Sequence, residues 1–319
     1  MTRIGSFAHT QLLLRNLVQN QERSQIAERQ ISTGYKAEYY KDMPRDVTTL
    51  AGAKSVLART EQHIQNNDRL KLQLDSYDVT LEGLEGLAGD LRQTVLDAVA
   101  VRSGVGLMDG VEAVFDRVAN LLNQQVAGRQ IFAGSKIDTA PFTGQDIADL
   151  LAAPEPPTTL FSNNNIAASV KVDDAREMVY GLLANEVGGD LMGAIQRIAM
   201  YNAGTLPAAP VAGGPASPFG TNLSDAQITF LTGELPKLEQ YQRDVTQIRS
   251  ENGFRAADLE ATQQRLGSEK IFLTEFVSNI EDVDITEAIN RLNQDQFALE
   301  ASYQVLGSLN QMSLLNFLR

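Results

Sequence analysis

A repeating apolar pattern between residues 70 and 98 constrains the fold of this chain more than any other feature of its sequence. Apolar residues alternate there in steps of four and three, at Leu70, Leu74, Tyr77, Leu81, Leu84, Ala88, Leu91, Val95 and Ala98. That spacing keeps one side of an α-helix apolar and is typical of a coiled-coil seam. A helix over these positions is about 42 Å long, at about 1.5 Å per residue. It therefore needs a partner of similar length.

A second seam of the same kind lies in the last third of the chain and supplies that partner. Its apolar positions are Leu238, Tyr241, Val245, Ile248, Leu259, Leu266, Leu273, Phe276 and Ile280. Asn252 and Arg255 are polar positions that weaken this second seam at its centre. We expect regions 45–100 and 234–282 to pair as long antiparallel helices.

Both ends of the chain continue the pattern. Near the C-terminus the apolar positions are Ile285, Ile289, Leu292, Leu299, Tyr303 and Leu306, with Gln296 as a polar exception. Near the N-terminus they are Leu13, Leu17, Ala27 and Ile31, with Asn20 and Ser24 as polar exceptions. The N-terminal seam is too poor to form a stable helix alone, so we expect 1–33 and 284–319 to lie side by side.

Helix-ending and helix-starting residues separate each end segment from its neighbour. Gly34 is suited to end the first helix in a left-handed conformation, and Pro44 can begin a helix but cannot continue one. Asp284 lies three residues before Glu287, which is the spacing of a capping box. The terminal segments are therefore distinct from the helices that adjoin them.

The middle of the chain has a different composition. After a helix predicted at 110–127, the short apolar run and the Gly and Pro residues of 128–142 indicate a β-hairpin. Residues 145–231 are rich in turn residues and indicate an inserted, exposed domain that is β-rich or mixed. The expected fold is mainly α. It has a terminal coiled-coil domain (1–33 and 284–319), a helical rod domain (34–144 and 232–283) and this middle domain.

Composition excludes several classes of function. The formal net charge of −13, without a cluster of Lys or Arg, argues against nucleic acid and anionic membranes as partners. The absence of cysteine excludes disulfides, thiolate metal sites and a Cys nucleophile. No stretch has the roughly 18 consecutive apolar residues of a membrane span, and no cleavable signal peptide is recognisable. We expect a cytoplasmic protein, or one exported without a cleaved signal.

The sequence offers no constellation for catalysis or metal binding. Its two histidines, His9 and His63, are far apart on predicted helices and are most simply structural. The acidic groups at 281–284 and 172–175 lack the glycine and the terminal glutamate of a calcium loop. The glycines of 103–110 indicate a break between helices, with Asp109 as a possible cap. We predict no enzyme, no cofactor and no metal.

Several segments resemble the flagellin family. The run ERQISTGYK at 28–36 is similar to the end of that family's first terminal helix. The segment from Asn66 to Ala98 is similar to the long helix that follows, and the segment from Asn279 to Arg319 is similar to the family's C-terminal signature. Within the family, GRQIFAGSKIDTAPF at 128–142 and the helix at 249–266 resemble the subunits of the hook–filament junction more than filament flagellin. Asp42-Met43-Pro44 departs from the usual Asp-Asp-Pro.

The resemblance implies a bacterial structural protein, exported by the flagellar type III apparatus and assembled outside the cell as a ring between hook and filament. It implies as partners further copies of the chain, the adjoining hook-associated protein, filament flagellin, and an export chaperone on the C-terminal region. The alternatives are a filament flagellin and an unrelated coiled-coil scaffold.

The patterned ends give a hypothesis for assembly. We expect 1–33 and 284–319 to become ordered when neighbouring subunits cover them, because burial of apolar side chains must offset the lost conformational entropy. The residues expected at this assembly interface are Leu13, Leu17, Ile31, Leu299, Tyr303, Leu306, Leu314, Leu315, Phe317 and Leu318.

Overall fold

The computed structural model describes residues 2–37, 39–206 and 218–317, with side chains described over 11–37, 39–206 and 218–308. Its order of elements is α1 (Thr2–Thr33), α2 (Val47–Val101), α3 (Leu107–Leu122), β1 (Gln125–Val126), β2 (Arg129–Gln130), α4 (Ile147–Ala152), β3 (Ser169–Lys171), β4 (Glu177–Val179), α5 (Ala184–Ala203), α6 (Asp225–Glu281) and α7 (Ile285–Phe317). Short 3₁₀ helices cover Tyr40–Asp42 and Thr158–Leu160. The expected mainly α fold class is confirmed.

The chain forms two compact units. One unit contains residues 1–61 and 268–319, and the other contains residues 62–267. The boundaries fall inside α2 and α6, whereas the sequence suggested divisions near 33, 145, 231 and 284. The expected three-part division into domains stays a prediction.

The core of unit 62–267 is built on the predicted seam of α2. All nine seam positions from Leu70 to Ala98 are buried, and seven of them, the positions from Leu74 to Val95, are fully inaccessible. From α6 the core receives Leu231, Leu238, Tyr241, Val245 and Leu259. Burying a large aliphatic side chain stabilises a fold by about 1.5–3 kcal/mol. The two seams therefore account for much of the stability of this unit.

Polar groups fix the alignment of α2 with α6. Asn252, which interrupts the second seam, is 2% exposed and donates from Nδ2 to the Leu74 carbonyl oxygen at 2.8 Å. On the flank, the Arg249 guanidinium donates to Asp78 at 3.2 Å and to Glu85 at 3.0 Å. The hydrogen bond with Asp78 is the main cause that raises the pKa of Arg249, and the hydrogen bond with Glu85 raises it further. A shifted alignment would leave a polar group unpaired within an apolar seam.

The expected hairpin is present but begins earlier than 128. Strands β1 and β2 pair antiparallel, with Gln125 opposite Gln130. The turn residues Ala127 and Gly128 have φ of 51° and 77°, as a two-residue turn with two left-handed positions requires. Helix α3 ends at Leu122, five residues before its expected end, because the chain turns into this hairpin. Asp109 lies in the first turn of α3, and the N-cap is Gly106, so the suggested Asp109 cap is wrong.

The middle region is mixed rather than β-rich. It holds the short helix α4, the antiparallel pair β3–β4, and the longer helix α5 with its buried face. Gly188 permits close packing of α5 on α3, since a Cβ there would lie 2.6 Å from the Cδ1 atom of Leu122. Helix α5 ends at Ala203 because Gly204 takes a left-handed φ of 72°.

Tyr77 joins the segment after the hairpin to α2. Its side chain is fully buried, and its hydroxyl donates to the Ile131 carbonyl oxygen at 2.7 Å. Burial raises the pKa of Tyr77 to about 12, which keeps the hydroxyl protonated as a donor at neutral pH. Its ring also lies 5.3 Å from that of Phe132, measured between centroids.

We predict that Tyr77→Phe lowers the free energy of unfolding by about 1–3 kcal/mol, because it leaves the buried Ile131 carbonyl without its donor. Urea denaturation followed by circular dichroism measures this. Tyr39→Phe is the control, since Tyr39 is 54% exposed and should change stability little. Equal stability of wild type and Tyr77→Phe would contradict the role given to the hydroxyl.

Asp173 ties the β3–β4 turn to α6. Its carboxylate is buried, which raises its pKa. The opposite and larger effect comes from hydrogen bonds donated by the Ala175 and Arg176 backbone and the Arg176 side chain, so the pKa lies below its usual value. The Arg265 guanidinium of α6 also donates to Asp173.

A lowered pKa in the folded state stabilises the fold above the unfolded pKa, near 3.8, and this stabilisation is lost as the pH falls through the folded value. We therefore predict that Asp173→Asn is less stable than wild type at pH 7, and that its free energy of unfolding declines less between about pH 5 and pH 2. Asp138→Asn, at an exposed position, is the control. Parallel acid profiles for wild type and Asp173→Asn would contradict the assignment.

Candidate assembly surface

The terminal helices α1 and α7 pack against each other within unit 1–61 and 268–319. The end of α1 lies beside the start of α7, since Tyr35 forms an antiparallel bridge with Asp282 and Ala27 lines a groove together with Arg291. The helices are therefore antiparallel, as the matched end segments predicted. The hypothesis from the sequence was that neighbouring subunits order these two helices. In the structure, α1 and α7 already pair within one chain.

The ends of both terminal helices use the predicted caps. Gly34 follows α1 with a φ of 77°, and its N–H donates to the Gln30 carbonyl oxygen at 2.9 Å. Before α7, the Asp284 Oδ1 atom accepts from the backbone N–H groups of Thr286 at 2.8 Å and Glu287 at 3.1 Å. Both features come from local sequence and are confirmed.

Residues 34–36 and 279–283 form a connection that we call the clasp. The Lys36 N–H donates to the Glu281 carbonyl oxygen at 2.7 Å, and the Val283 N–H donates to the Gly34 carbonyl oxygen at 2.9 Å. The clasp thus pairs the chain leaving α1 with the chain between α6 and α7.

Two lysines stabilise the clasp by charge. The Lys36 Nζ atom donates to the carbonyl oxygens of Asn279 at 2.5 Å and Ile280 at 3.2 Å, in the last turn of α6. A cation is favoured there because the last carbonyls of a helix carry partial negative charge. The Lys54 Nζ atom lies 2.6 Å from the Glu281 carboxylate, and this hydrogen bond raises the pKa of Lys54. The sequence did not identify these contacts, because their partners are more than 200 residues apart.

Over residues 11–33 and 285–308, the pair of terminal helices buries few large apolar side chains. Among the described side chains of α1 and α7, those that are buried are Leu17, Ser24, Ala27 and Ala288. Leu17, at 9% exposed, is the one large apolar side chain in this set. Small residues let the helices approach closely but contribute little apolar burial.

The same helices expose many large apolar side chains. On α1 these are Leu12, Leu14, Val18 and Ile26, and on α7 they are Ile285, Ile289, Phe297, Tyr303 and Val305. Phe297 is the most exposed of them, at 72%. Exposed apolar side chains of this size make the terminal helices a candidate surface for contact with other molecules.

The residues expected at the assembly interface differ in how far the structure buries them. Leu17 is buried against the partner helix, Leu13, Ile31, Leu299 and Leu306 are half-buried, and Tyr303 is 56% exposed. Five of these six side chains are thus buried or half-buried within a single chain. The side chains of Leu314, Leu315, Phe317 and Leu318 lie outside the described residues. Their role in contacts between subunits stays a prediction.

The described residues offer no obvious site for metal chemistry. Over these residues no three His, Cys, Asp or Glu side chains come together in a way that could hold a metal ion. The Nε2 atom of His63 lies 3.1 Å from the Asp174 Oδ1 atom, which fits a structural contact. No helix in the described part of the chain is both long and apolar enough to cross a membrane.

Comparison with known proteins finds flagellar proteins among those that this chain resembles. Residues 235–318 match the family model described as the bacterial flagellin C-terminal helical region. A flagellar hook-associated protein from Vibrio parahaemolyticus has a similar structure, with a TM-score of 0.58 and 17% identity over 76% of this chain and 100% of that one. FlgL of Bacillus cereus gives a TM-score of 0.51 and 13% identity over 71% of this chain and 97% of that one. Comparison with the curated proteins gives no match.

We predict that Gly34→Ala destabilises the clasp by about 1–2 kcal/mol, because an alanine is strained in the left-handed conformation. Gly52→Ala is the matched control, since Gly52 is inside α2 with nothing within 4 Å of a new Cβ, and should be neutral or stabilising. Amide hydrogen exchange in the last turn of α1 measures the effect. Unchanged exchange in Gly34→Ala would contradict it.

These comparisons agree with the resemblance found in the sequence: residues 235–318 are similar to the C-terminal helical region of bacterial flagellins, and the fold is similar to that of solved flagellar hook-associated proteins.

Proposed function

We propose that this chain is a structural subunit of the bacterial flagellum, an adaptor at the junction between hook and filament, and not an enzyme. The observation that carries the proposal is the flagellin-type C-terminal region within a chain that has the fold of hook-associated proteins. One line of support is the similarity of residues 235–318 in sequence, and the other is the similarity of the backbone fold.

The surface of the terminal helices supplies a physical mechanism for assembly. Helices that expose apolar residues at their outer faces gain stability when neighbouring subunits cover those faces. Covering them also offsets the conformational entropy lost when the ends become ordered. In this proposal the terminal pair becomes stably ordered as the subunit joins the structure.

The same proposal assigns partners and location. Copies of the chain form a ring, with the adjoining hook-associated protein on one side and filament flagellin on the other. An export chaperone holds the C-terminal region before secretion, which keeps its apolar residues from aggregating. The protein is secreted and resides at the hook–filament junction.

A filament flagellin is the second candidate, because the matched family model is that of the flagellin C-terminal region. The two functions differ in where the protein lies and in how many copies are present. Filament subunits build the whole filament, whereas junction subunits lie only at the hook tip.

Electron microscopy of a bacterium lacking this protein tests the proposal. We expect hooks without filaments, with flagellin lost to the medium, and immunogold labelling of the wild-type protein only at hook tips. Labelling along the filament would instead indicate a filament subunit. Normal filaments in the deletion strain, with no labelling of flagella, would contradict both functions.

Complementation with altered C-termini tests the assembly mechanism. We predict that combined Leu314→Ser, Leu315→Ser and Phe317→Ser abolishes incorporation, as removal of the last eight residues should, because apolar burial between subunits is lost. Combined Ser313→Ala and Asn316→Ala is the matched control, since it changes the same segment and keeps its apolar residues. Circular dichroism checks that unit 62–267 remains folded in all variants. Normal motility of the triple variant would overturn the mechanism.

A further inference from the structure

Asn252 is followed by Gly253, and this is the one Asn-Gly pair in the sequence. An asparagine side chain can be attacked by the backbone nitrogen of the next residue. Glycine hinders this attack least, because it has no side chain and its backbone is conformationally permissive. The reaction converts asparagine to aspartate or isoaspartate without an enzyme. In this chain the pair lies in α6, with Asn252 buried in the seam with α2.

Packing within the chain does not explain the glycine at 253. Gly253 is exposed in a regular helix, and a Cβ atom there would have no neighbour within 4 Å outside the adjacent helix backbone. By contrast, a Cβ at Gly110 would lie 2.9 Å from the Thr94 Cγ2 atom, so close packing requires that glycine. Glycine inside a helix is less favourable than alanine. Gly253 therefore weakens α6 beside the reactive asparagine.

The folded structure holds the two reacting groups apart. The Asn252 side chain is turned toward α2, where Nδ2 donates to the Leu74 carbonyl oxygen at 2.8 Å, and the residue is 2% exposed. The Gly253 nitrogen belongs to an α-helical backbone, in which each N–H points along the helix axis to the carbonyl four residues earlier. Attack on the side chain therefore requires α6 to separate from α2 and to unwind locally.

We propose that Asn252-Gly253 is a spontaneous deamidation site that is blocked while α2 and α6 are paired and becomes reactive when this seam opens. The Gly253 nitrogen bonds to the side-chain carbonyl carbon of Asn252 and gives up its proton, and the side-chain amide leaves as ammonia. Water then opens the cyclic imide at either carbonyl, which yields aspartate or isoaspartate. The reaction consumes water and releases ammonia, and it needs no other reactant. The inference does not depend on the proposed function.

Neither product fits the seam as asparagine does. Isoaspartate adds a methylene group to the main chain, which interrupts the regular hydrogen bonding of the helix. Aspartate at 252 buries a charge and removes the N–H donor that the Leu74 carbonyl oxygen now has.

Arg255 can offset part of this charge. It lies three residues further along the same side of α6, and its Nη1 atom has no hydrogen-bond partner among the described residues. It cannot offset the altered main chain of isoaspartate. Deamidation thus turns a transient opening of the seam into a lasting loss of stability.

Incubation of the full-length protein at mildly alkaline pH tests the site. One sample is kept folded and another is held unfolded in urea, and released ammonia and peptide masses are followed with time. We expect deamidation at Asn252 to be at least about a hundredfold faster in the unfolded sample, because only the opened fraction of a folded protein reacts. Equal rates in the two samples, or an unfolded chain in which Asn252 reacts no faster than other asparagines, would overturn the inference.

Two positions provide matched controls. Gly253→Ala keeps Asn252 but hinders the attack, so it should suppress the reaction in urea while the protein stays folded in buffer. Asn222 is exposed outside the helices but precedes Leu223, so it should react far more slowly in both samples. Asp109-Gly110 can form isoaspartate without releasing ammonia, so peptide mapping assigns each product to its position. Deamidation of Gly253→Ala at the wild-type rate would contradict the mechanism.

Opening the seam by mutation tests the coupling under native conditions. Leu81 is fully buried in the α2 seam, so Leu81→Ala should raise the opened fraction and, by the same factor, the rate of deamidation at Asn252. Leu72→Ala is the matched control, because Leu72 lies on the same helix and is 62% exposed. Urea denaturation gives the change in the opened fraction. A less stable Leu81→Ala protein with an unchanged rate would show that the seam does not protect the site.

The effect of the product is measured on refolded material. Wild-type protein that has been deamidated in urea is returned to buffer, and the fractions with and without the modification are separated by charge. We expect the modified fraction to unfold at a lower urea concentration, with isoaspartate more affected than the Asn252→Asp variant. Equal midpoints for the two fractions would overturn the consequence proposed for the seam.

Discussion

Burial along the α2–α6 seam is the interaction on which unit 62–267 depends. Leucines and tyrosines of both helices are removed from water, and Asn252 and Arg249 fix the alignment through hydrogen bonds to α2. The hairpin segment then packs on this seam through Tyr77, and α5 packs through the Tyr241 hydroxyl, which donates to the Val187 carbonyl oxygen at 2.9 Å. The inserted elements are ordered because the helical layer offers them a fixed surface.

The terminal helices α1 and α7 have the same kind of apolar spacing as α2 and α6, but they leave large apolar side chains exposed. Among the described side chains, its buried positions are Leu17, Ser24, Ala27 and Ala288, while Phe297 and other large apolar residues are exposed. A seam of this kind gives an alignment but little stability, and in the proposed function neighbouring copies supply further stabilisation. Incomplete burial within one chain is, in the proposed function, what makes this chain a subunit.

The clasp aligns the terminal helices. It uses backbone hydrogen bonds and the Lys36 ammonium group at the carbonyl end of α6, so it holds the chain leaving α1 against the chain entering α7 without a large apolar core.

Local and periodic features could be predicted from the sequence, since they depend on neighbours a few residues apart. The α2 seam, the left-handed Gly34 and the Asp284 cap are examples, because helix geometry and glycine conformation are properties of short segments. The resemblance in the terminal segments was likewise a property of sequence. The contacts of Lys36 with α6 and of Asp173 with Arg265, and the packing of the middle region, were decided by the tertiary structure. Periodicity shows which residues share a helix face, but only packing decides how far Leu17 or Phe297 is covered by its own chain, because burial depends on residues distant in sequence.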